Sequence, residues 1–290
     1  MNVKIIVDST ADLTPWVRSR VEVVPLTIRF GAQEYIDGIT IDSRTFYEKL
    51  IESDVLPTTS QASPFDFEEK FRSAVEKFRS AVEEGFQVVC ITVSSGLSGT
   101  YQSACIAAEE YPGKVFVVDS QTIALGSAIL TDYALSLVDR GMDAETIAWK
   151  LLQKREKVRL LAMLDTLEYL KKGGRISSAV ALAGGLLNIK PVVCIENGGI
   201  KMLGKARGSR QANNLLVQEI EKAGGVDFRK PVLLGYTGLS DALLQKYIRD
   251  SAALWENHVG ELPCSVVGSV VGTHAGPGAV AVAFFAQDSE

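Results

Sequence analysis

The chain has 290 residues, of which 47% are hydrophobic and 22% charged. That length accommodates two domains, and the mix excludes wholesale disorder. With 30 Lys and Arg against 35 Asp and Glu the net charge is −5, so the basic excess that a broad nucleic-acid surface needs is missing.

In chain order, Val3–Val7 predicts a strand buried on both faces, and Val21–Phe30 a second. Asp42 or Ser43 can cap a helix to about Ile51. Ser63-Pro64 supplies the N-cap and first residue of a longer helix, in which Phe71, Val75, Phe78 and Val82 form one buried stripe. Gln87–Val93 reads as a strand, Thr100–Tyr111 as a helix, Lys114–Val118 as a strand, and Thr122–Arg140 as a helix ended by Gly141. Asp143 caps the next helix, to about Glu156. This alternation predicts a parallel sheet covered by helices on both faces.

The character changes after Val158. Val158–Leu164 predicts a strand and Leu167–Lys172 a short helix, broken by Gly173-Gly174. Ile189–Ile195 and Ile200–Lys205 flank Asn197-Gly198, a strong hairpin signal. Ser209 can cap a helix to Ala223, and Pro231–Tyr236 is strand-like. A helix over Asp241–Asn257 and strands around Val266–Val271 and Ala279–Phe285 complete the pattern. The expected architecture is α/β in two domains: residues 1–158 around a parallel sheet, and residues 159–290 around a mixed or antiparallel one.

No apolar run is long enough for a bilayer span, and the opening MNVKIIVDST meets an Asp too soon for a signal peptide. A cytoplasmic location without stable membrane insertion is expected. Cys90, Cys105, Cys194 and Cys264 make no Cys-x-x-Cys pair and read as buried free thiols. His258 and His274 are the only histidines, and with no His/Cys cluster no metal site is expected.

Three strands end in the same polar punctuation: Asp8-Ser9-Thr10, Ser94-Ser95-Gly96 and Asp119-Ser120. In a parallel sheet these ends share one edge, where open α/β sheets bind ligands. The leading candidate is Ser94-Ser95-Gly96-Leu97-Ser98-Gly99-Thr100. Its hydroxyls and flexible glycines suit a carboxylate or phosphate, and they equally suit a plain helix start. The second candidate is the hydroxyl-rich loop Pro57-Thr58-Thr59-Ser60-Gln61, and the third is His274 within Gly272-Thr273-His274-Ala275-Gly276-Pro277-Gly278. An ordinary loop and a structural histidine are the competing readings. A fourth, Lys171-Lys172-Gly173-Gly174-Arg175-Ile176-Ser177, is explained more simply as a solvated helix end whose cations face the negative pole.

Neither a Walker phosphate loop nor Gly-x-Gly-x-x-Gly occurs, and the nucleophile-elbow pattern fails at Thr100. A Ser-His-Asp site through His274 stays formally possible, since triads are defined by geometry.

Taken in order, Val7-Asp8-Ser9-Thr10-Ala11-Asp12, Thr59-Ser60-Gln61, the Ser94–Tyr101 segment and Val118-Asp119-Ser120 resemble the DegV family of bacterial fatty-acid-binding proteins. Leu170–Ile176, Ile195-Glu196-Asn197-Gly198 and Thr273–Gly278 extend the resemblance over essentially the whole chain. It implies a two-domain fold holding one long-chain fatty acid, such as a C16–C18 acid, between the domains. The carboxylate then falls to Thr59, Ser95, the less favoured Ser94, and His274, with Ser60, Gly96 and Ser98 in support. It further implies a binding subunit without catalysis or cofactor, which presents the acid to a separate ATP-using fatty acid kinase. The acyl-phosphate then goes to a downstream acyltransferase for phospholipid synthesis. Two hydroxyls, backbone N–H groups and a His N–H can offset the cost of burying the carboxylate, so no Arg or Lys is required. Two alternatives to a lipid carrier stay open: a serine-dependent lipid esterase using Ser95 or Ser98 with His274, and a module binding a phosphate-bearing ligand. One departure is Ala62, where many members carry Pro; it leaves the hydroxyls in place.

Overall fold

A computed structural model of the chain describes residues 2–76, 86–177, 188–258 and 260–287. The first half runs β1 (Val3–Asp8), α1 (Pro15–Arg18), β2 (Glu22–Val24), β3 (Thr27–Phe30), β4 (Gln33–Ile36), α2 (Ser43–Glu52), β5 (Thr58–Ser60), α3 (Pro64–Glu76), β6 (Gln87–Thr92), α4 (Thr100–Ala108), β7 (Val115–Asp119), α5 (Ala124–Asp139) and α6 (Ala144–Lys154). The second half runs β8 (Val158–Met163), α7 (Glu168–Lys172), β9 (Ile189–Glu196), β10 (Gly199–Arg207), α8 (Gly208–Lys222), β11 (Leu233–Tyr236), α9 (Ala242–Asp250), α10 (Ala252–Trp255), β12 (Cys264–Val266), α11 (Ser269–Ala275) and β13 (Val280–Phe285). Among the described residues no helix is long and apolar enough to cross a membrane.

The fold is α/β. Its first sheet is parallel, in the order β2-β1-β6-β7, as the β-α alternation predicts. The second is a mixed six-stranded sheet, β10-β9-β8-β13-β11-β12, in which only β11 and β12 run parallel. Its β9–β10 hairpin turns at Asn197 and Gly198, whose φ values of 50° and 75° are the pair that a tight Asn-Gly turn requires. Asp42 and Asp143 cap α2 and α6, accepting from the backbone N–H of Thr45 and Thr146.

Helix α5 explains how the halves are joined. It is apolar nearly all round, and its buried residues run from Ala124 to Leu137. A helix of that kind must be covered on every side. One core accordingly extends from Ile5 and Ile91 in the parallel sheet through Leu125 and Ile129 of α5 to Leu160 and Phe285 in the mixed sheet.

Several expectations need correction. Val21–Phe30 is two strands, not one. Pro25 cannot donate to a ladder, so the chain leaves the parallel sheet there and β3 starts a separate antiparallel sheet, β4-β3-β5. Residues Thr58–Ser60, read as loop, are the third strand of that sheet. Ser269–Ala275 is a helix, although its valines resemble a strand. Asp241–Asn257 divides into α9 and α10 at Ser251. Ser209 lies inside α8, whose N-cap is Arg207. All four thiols are free, but Cys264 is exposed and Cys105 and Cys194 are only half-buried. Phe78 and Val82 lie outside the described residues.

Candidate functional site

An apolar cavity lies between the parallel and mixed sheets and holds about 990 Å³ of space between atoms, its mouth included. Val93, Ile123 and Ala124 line it from the first half; Leu160, Ala162 and Ala281 line it from the mixed sheet. Its polar lining includes Thr10, Thr59, Gln61, Ser98, Arg175 and His274.

Thr59 reaches the cavity because strand side chains alternate. In β5 it pairs with the buried Ile28 of β3 and turns inward, whereas Thr58 and Ser60 are exposed. Gln61 follows at once. Its amide donates to Ser103 Oγ of α4 at 3.0 Å, tying the small sheet to that helix. Gly99 makes room for this: a Cβ there would lie 2.2 Å from Gln61 Oε1.

His274 arrives from the last turn of α11. Its Nε2 lies 2.9 Å from Thr59 Oγ1, while Nδ1 is buried and has no partner among the described residues. Gly173 permits this seat, because a Cβ at that position would stand 2.2 Å from Nδ1. Burial, and secondarily the charge of Arg175, pushes the imidazole pKa down to about 4. The ring is therefore neutral at physiological pH.

Arg175 follows α7. Its Nη1–H donates to Gly173 O at 2.6 Å and its Nε–H to Leu97 O at 3.3 Å, so it links the Gly-Gly turn to the serine loop. Arg175, which is not among the donors expected from the sequence, is a lining residue of the cavity. The sequence signal was the Lys-Lys-Gly-Gly-Arg run, attributed to a solvated helix end. That account holds for the exposed lysines, but the turn folds the half-buried Arg175 back onto the cavity.

The serine loop divides its hydroxyls. Ser98 lines the cavity, 2.9 Å from Thr100 Oγ1 at the start of α4. Ser94 is buried and donates to Gly198 O at 2.7 Å, fastening the loop to the hairpin turn. Gly96 packs on the same carbonyl, where a Cβ would come within 2.8 Å. Ser95 is exposed and donates to Asp119 Oδ2 at 2.6 Å. The structure thus brings Thr59, Ser98 and His274 to one cavity. It sets Ser94, Ser95, Ser60 and Gly96 outside the lining.

The DegV profile, described as "Uncharacterised protein, DegV family", matches residues 2–287. The chain belongs to the DegV family. A DegV domain-containing protein of Deinococcus radiodurans is 35% identical over 289 residues, which cover 98% of each chain. Among solved structures, a DegV family protein from Thermus thermophilus described for its fatty acid binding superposes with a TM-score of 0.85 at 32% identity, covering 99% of this chain and 100% of that one. A stearic acid-binding protein from Eubacterium ventriosum gives a TM-score of 0.84 at 27% identity, with 98% of this chain and 97% of that chain covered. The DegV fold expected from the ordered motifs is therefore the fold observed.

Proposed function

We propose that this DegV protein binds one long-chain fatty acid, its chain in the cavity and its carboxylate at the Thr59–His274 end. The observation that carries the reading is a mainly apolar cavity with a few convergent polar groups, the form small-molecule sites take. The fatty acids held by solved relatives support it. Burying a CH₂ is worth about 0.8 kcal/mol, so a sixteen-carbon chain supplies on the order of 12 kcal/mol before ordering costs are subtracted.

An acyl chain alone does not explain the polar end. A carboxylate taken from water without partners costs several kcal/mol. A neutral His274 with its proton on Nε2 donates to Thr59 Oγ1, and the threonine proton is then free for the ligand. Ser98 supplies a second hydroxyl, and Arg175 has N–H groups beyond the two tied to carbonyls. The N-terminal end of α4, next to Ser98, adds a favourable dipole. Ser94 and Ser95 support this set by holding the loop on Gly198 and Asp119.

We further propose a division of labour between two lobes meeting near residue 158, with the protein acting as a non-catalytic carrier. A separate kinase subunit would phosphorylate the carboxylate with ATP, and an acyltransferase would receive the acyl-phosphate. The missing phosphate loop and the cytoplasmic location expected from the sequence suit that role. Titration with a fluorescent fatty acid tests the carrier reading, with inorganic phosphate and a short-chain ester as controls. Saturable acyl binding without ester turnover is expected; ester hydrolysis, or competition by phosphate alone, contradicts it.

A further inference from the structure

Helix α11 carries His274 in its last turn, yet it has no cap of its own: its N-cap is Gly268, with no side-chain hydrogen bond. The missing partners come from distant segments. Asp12, in the loop after β1, accepts the Gly268 N–H through Oδ1 at 2.7 Å. Asp37, beyond β4, lies beside Ser9 and the first residue of the helix, Ser269, whose buried hydroxyl has no partner among the described residues. Both acids are buried, and Asp12 Oδ2 has no partner among the described residues. Seven residues at about 1.5 Å each make a stiff rod of roughly 10 Å, so the seat of one end sets the position of the imidazole at the other.

We propose that Asp12 is a positioning residue for the head-group site: with Asp37 beside it, it seats α11 and so holds His274 on Thr59. The groups around them are consistent with that task. Tyr47, fully buried on α2, donates to Val267 O at 2.9 Å, and Gly272 packs against its hydroxyl. Asp8 lies nearby, satisfied by donors from Thr10 and Val93. At the other end of the helix, the Tyr169 ring packs on Gly276 and Arg175 faces His274. Burial raises both acids: Asp12 well above the usual carboxylate range, and Asp37 up to about 6.

The test reads the imidazole itself. His258 is the only other histidine, so a His258→Gln background leaves one set of ring resonances for NMR. Asp12→Ala, which removes the acceptor, is expected to shift the ring signals at pH 7.5 and to weaken fluorescent fatty acid binding about tenfold, the scale of a charge-assisted hydrogen bond. Asp12→Asn keeps Oδ1 and should restore both. Parental ring signals and affinity in Asp12→Ala overturn the proposal. Should Asp12→Ala fail to fold, Asp12→Glu decides: its longer side chain displaces the acceptor and should move the ring signals, and unmoved signals overturn the proposal. The binding readout rests on the fatty acid reading and the ring signals do not. Ring shifts as expected in a protein that binds no fatty acid would keep the positioning role and contradict only the carrier.

Discussion

Thr59 and His274 are 215 residues apart in the chain, and their side chains meet at 2.9 Å. One comes from the inward face of a three-residue strand, the other from the end of a two-turn helix. The contact joins the small antiparallel sheet to the mixed sheet's half of the chain at the polar end of the cavity.

Replacing Thr59 by Val keeps the shape and removes the hydroxyl. Fatty acid affinity should fall by about 1–2 kcal/mol, roughly tenfold, with cooperative unfolding retained. Titration calorimetry checks this, and an unchanged Kd would remove Thr59 from the head-group site.

The serine loop gives a sharper contrast. Ser98 faces the cavity, whereas the Ser95 hydroxyl is held by Asp119. Ser98→Ala is expected to weaken fatty acid binding, and Ser95→Ala to act mainly on loop order, seen as faster amide exchange from Ser95 to Gly99. The reverse ranking in affinity would assign the anion contact to Ser95 after all.

The two halves of the site differ in how far sequence alone could reach them. Strand ends, helix caps and the Asn197-Gly198 turn are local signals, and they placed the serine loop at the sheet edge. Helix α11 is not local. Val270 and Val271 favour a strand by propensity, but the carboxylate of Asp12, more than 200 residues away in the chain, supplies an acceptor at the start of the helix. Thr58–Ser60 is a strand only because β3 lies beside it. Arg175 enters the cavity through a Gly-Gly turn whose direction no periodicity encodes.

Stability should depend on pH through two opposing groups. The folded state holds the Asp37 proton more tightly than the unfolded chain does, so this group's contribution falls as pH rises from 3.8 through about 6. The unfolded chain holds the His274 proton more tightly, so that contribution rises as pH climbs from about 4 to 6.5. At 1.36 kcal/mol per pH unit each is worth about 3 kcal/mol, and across the shared window they nearly cancel. Relative to the parent, Asp37→Asn should gain about 3 kcal/mol over that rise in pH and His274→Gln should lose a similar amount. Urea unfolding at stepped pH values checks both signs. Parallel curves for the three proteins would contradict the assignment.

Ala162 of β8 faces Ala281 of β13 across the ladder, and both line the cavity. A phenylalanine at 162 should fill acyl space. Binding of C16–C18 acids is expected to fall tenfold or more while shorter acids retain affinity, with a packing cost of about 1–3 kcal/mol in stability. Undiminished binding of a C18 acid to Ala162→Phe would place the acyl chain elsewhere.

The most direct measurement is the mass of whatever the protein carries. Protein purified from growing cells, analysed intact by native mass spectrometry and after solvent extraction, should carry one C16–C18 fatty acid per chain, at lower occupancy in the Thr59→Val and Arg175→Ala variants. A phosphate-bearing ligand in its place would contradict the account, as would an empty protein that takes up no fatty acid when one is supplied.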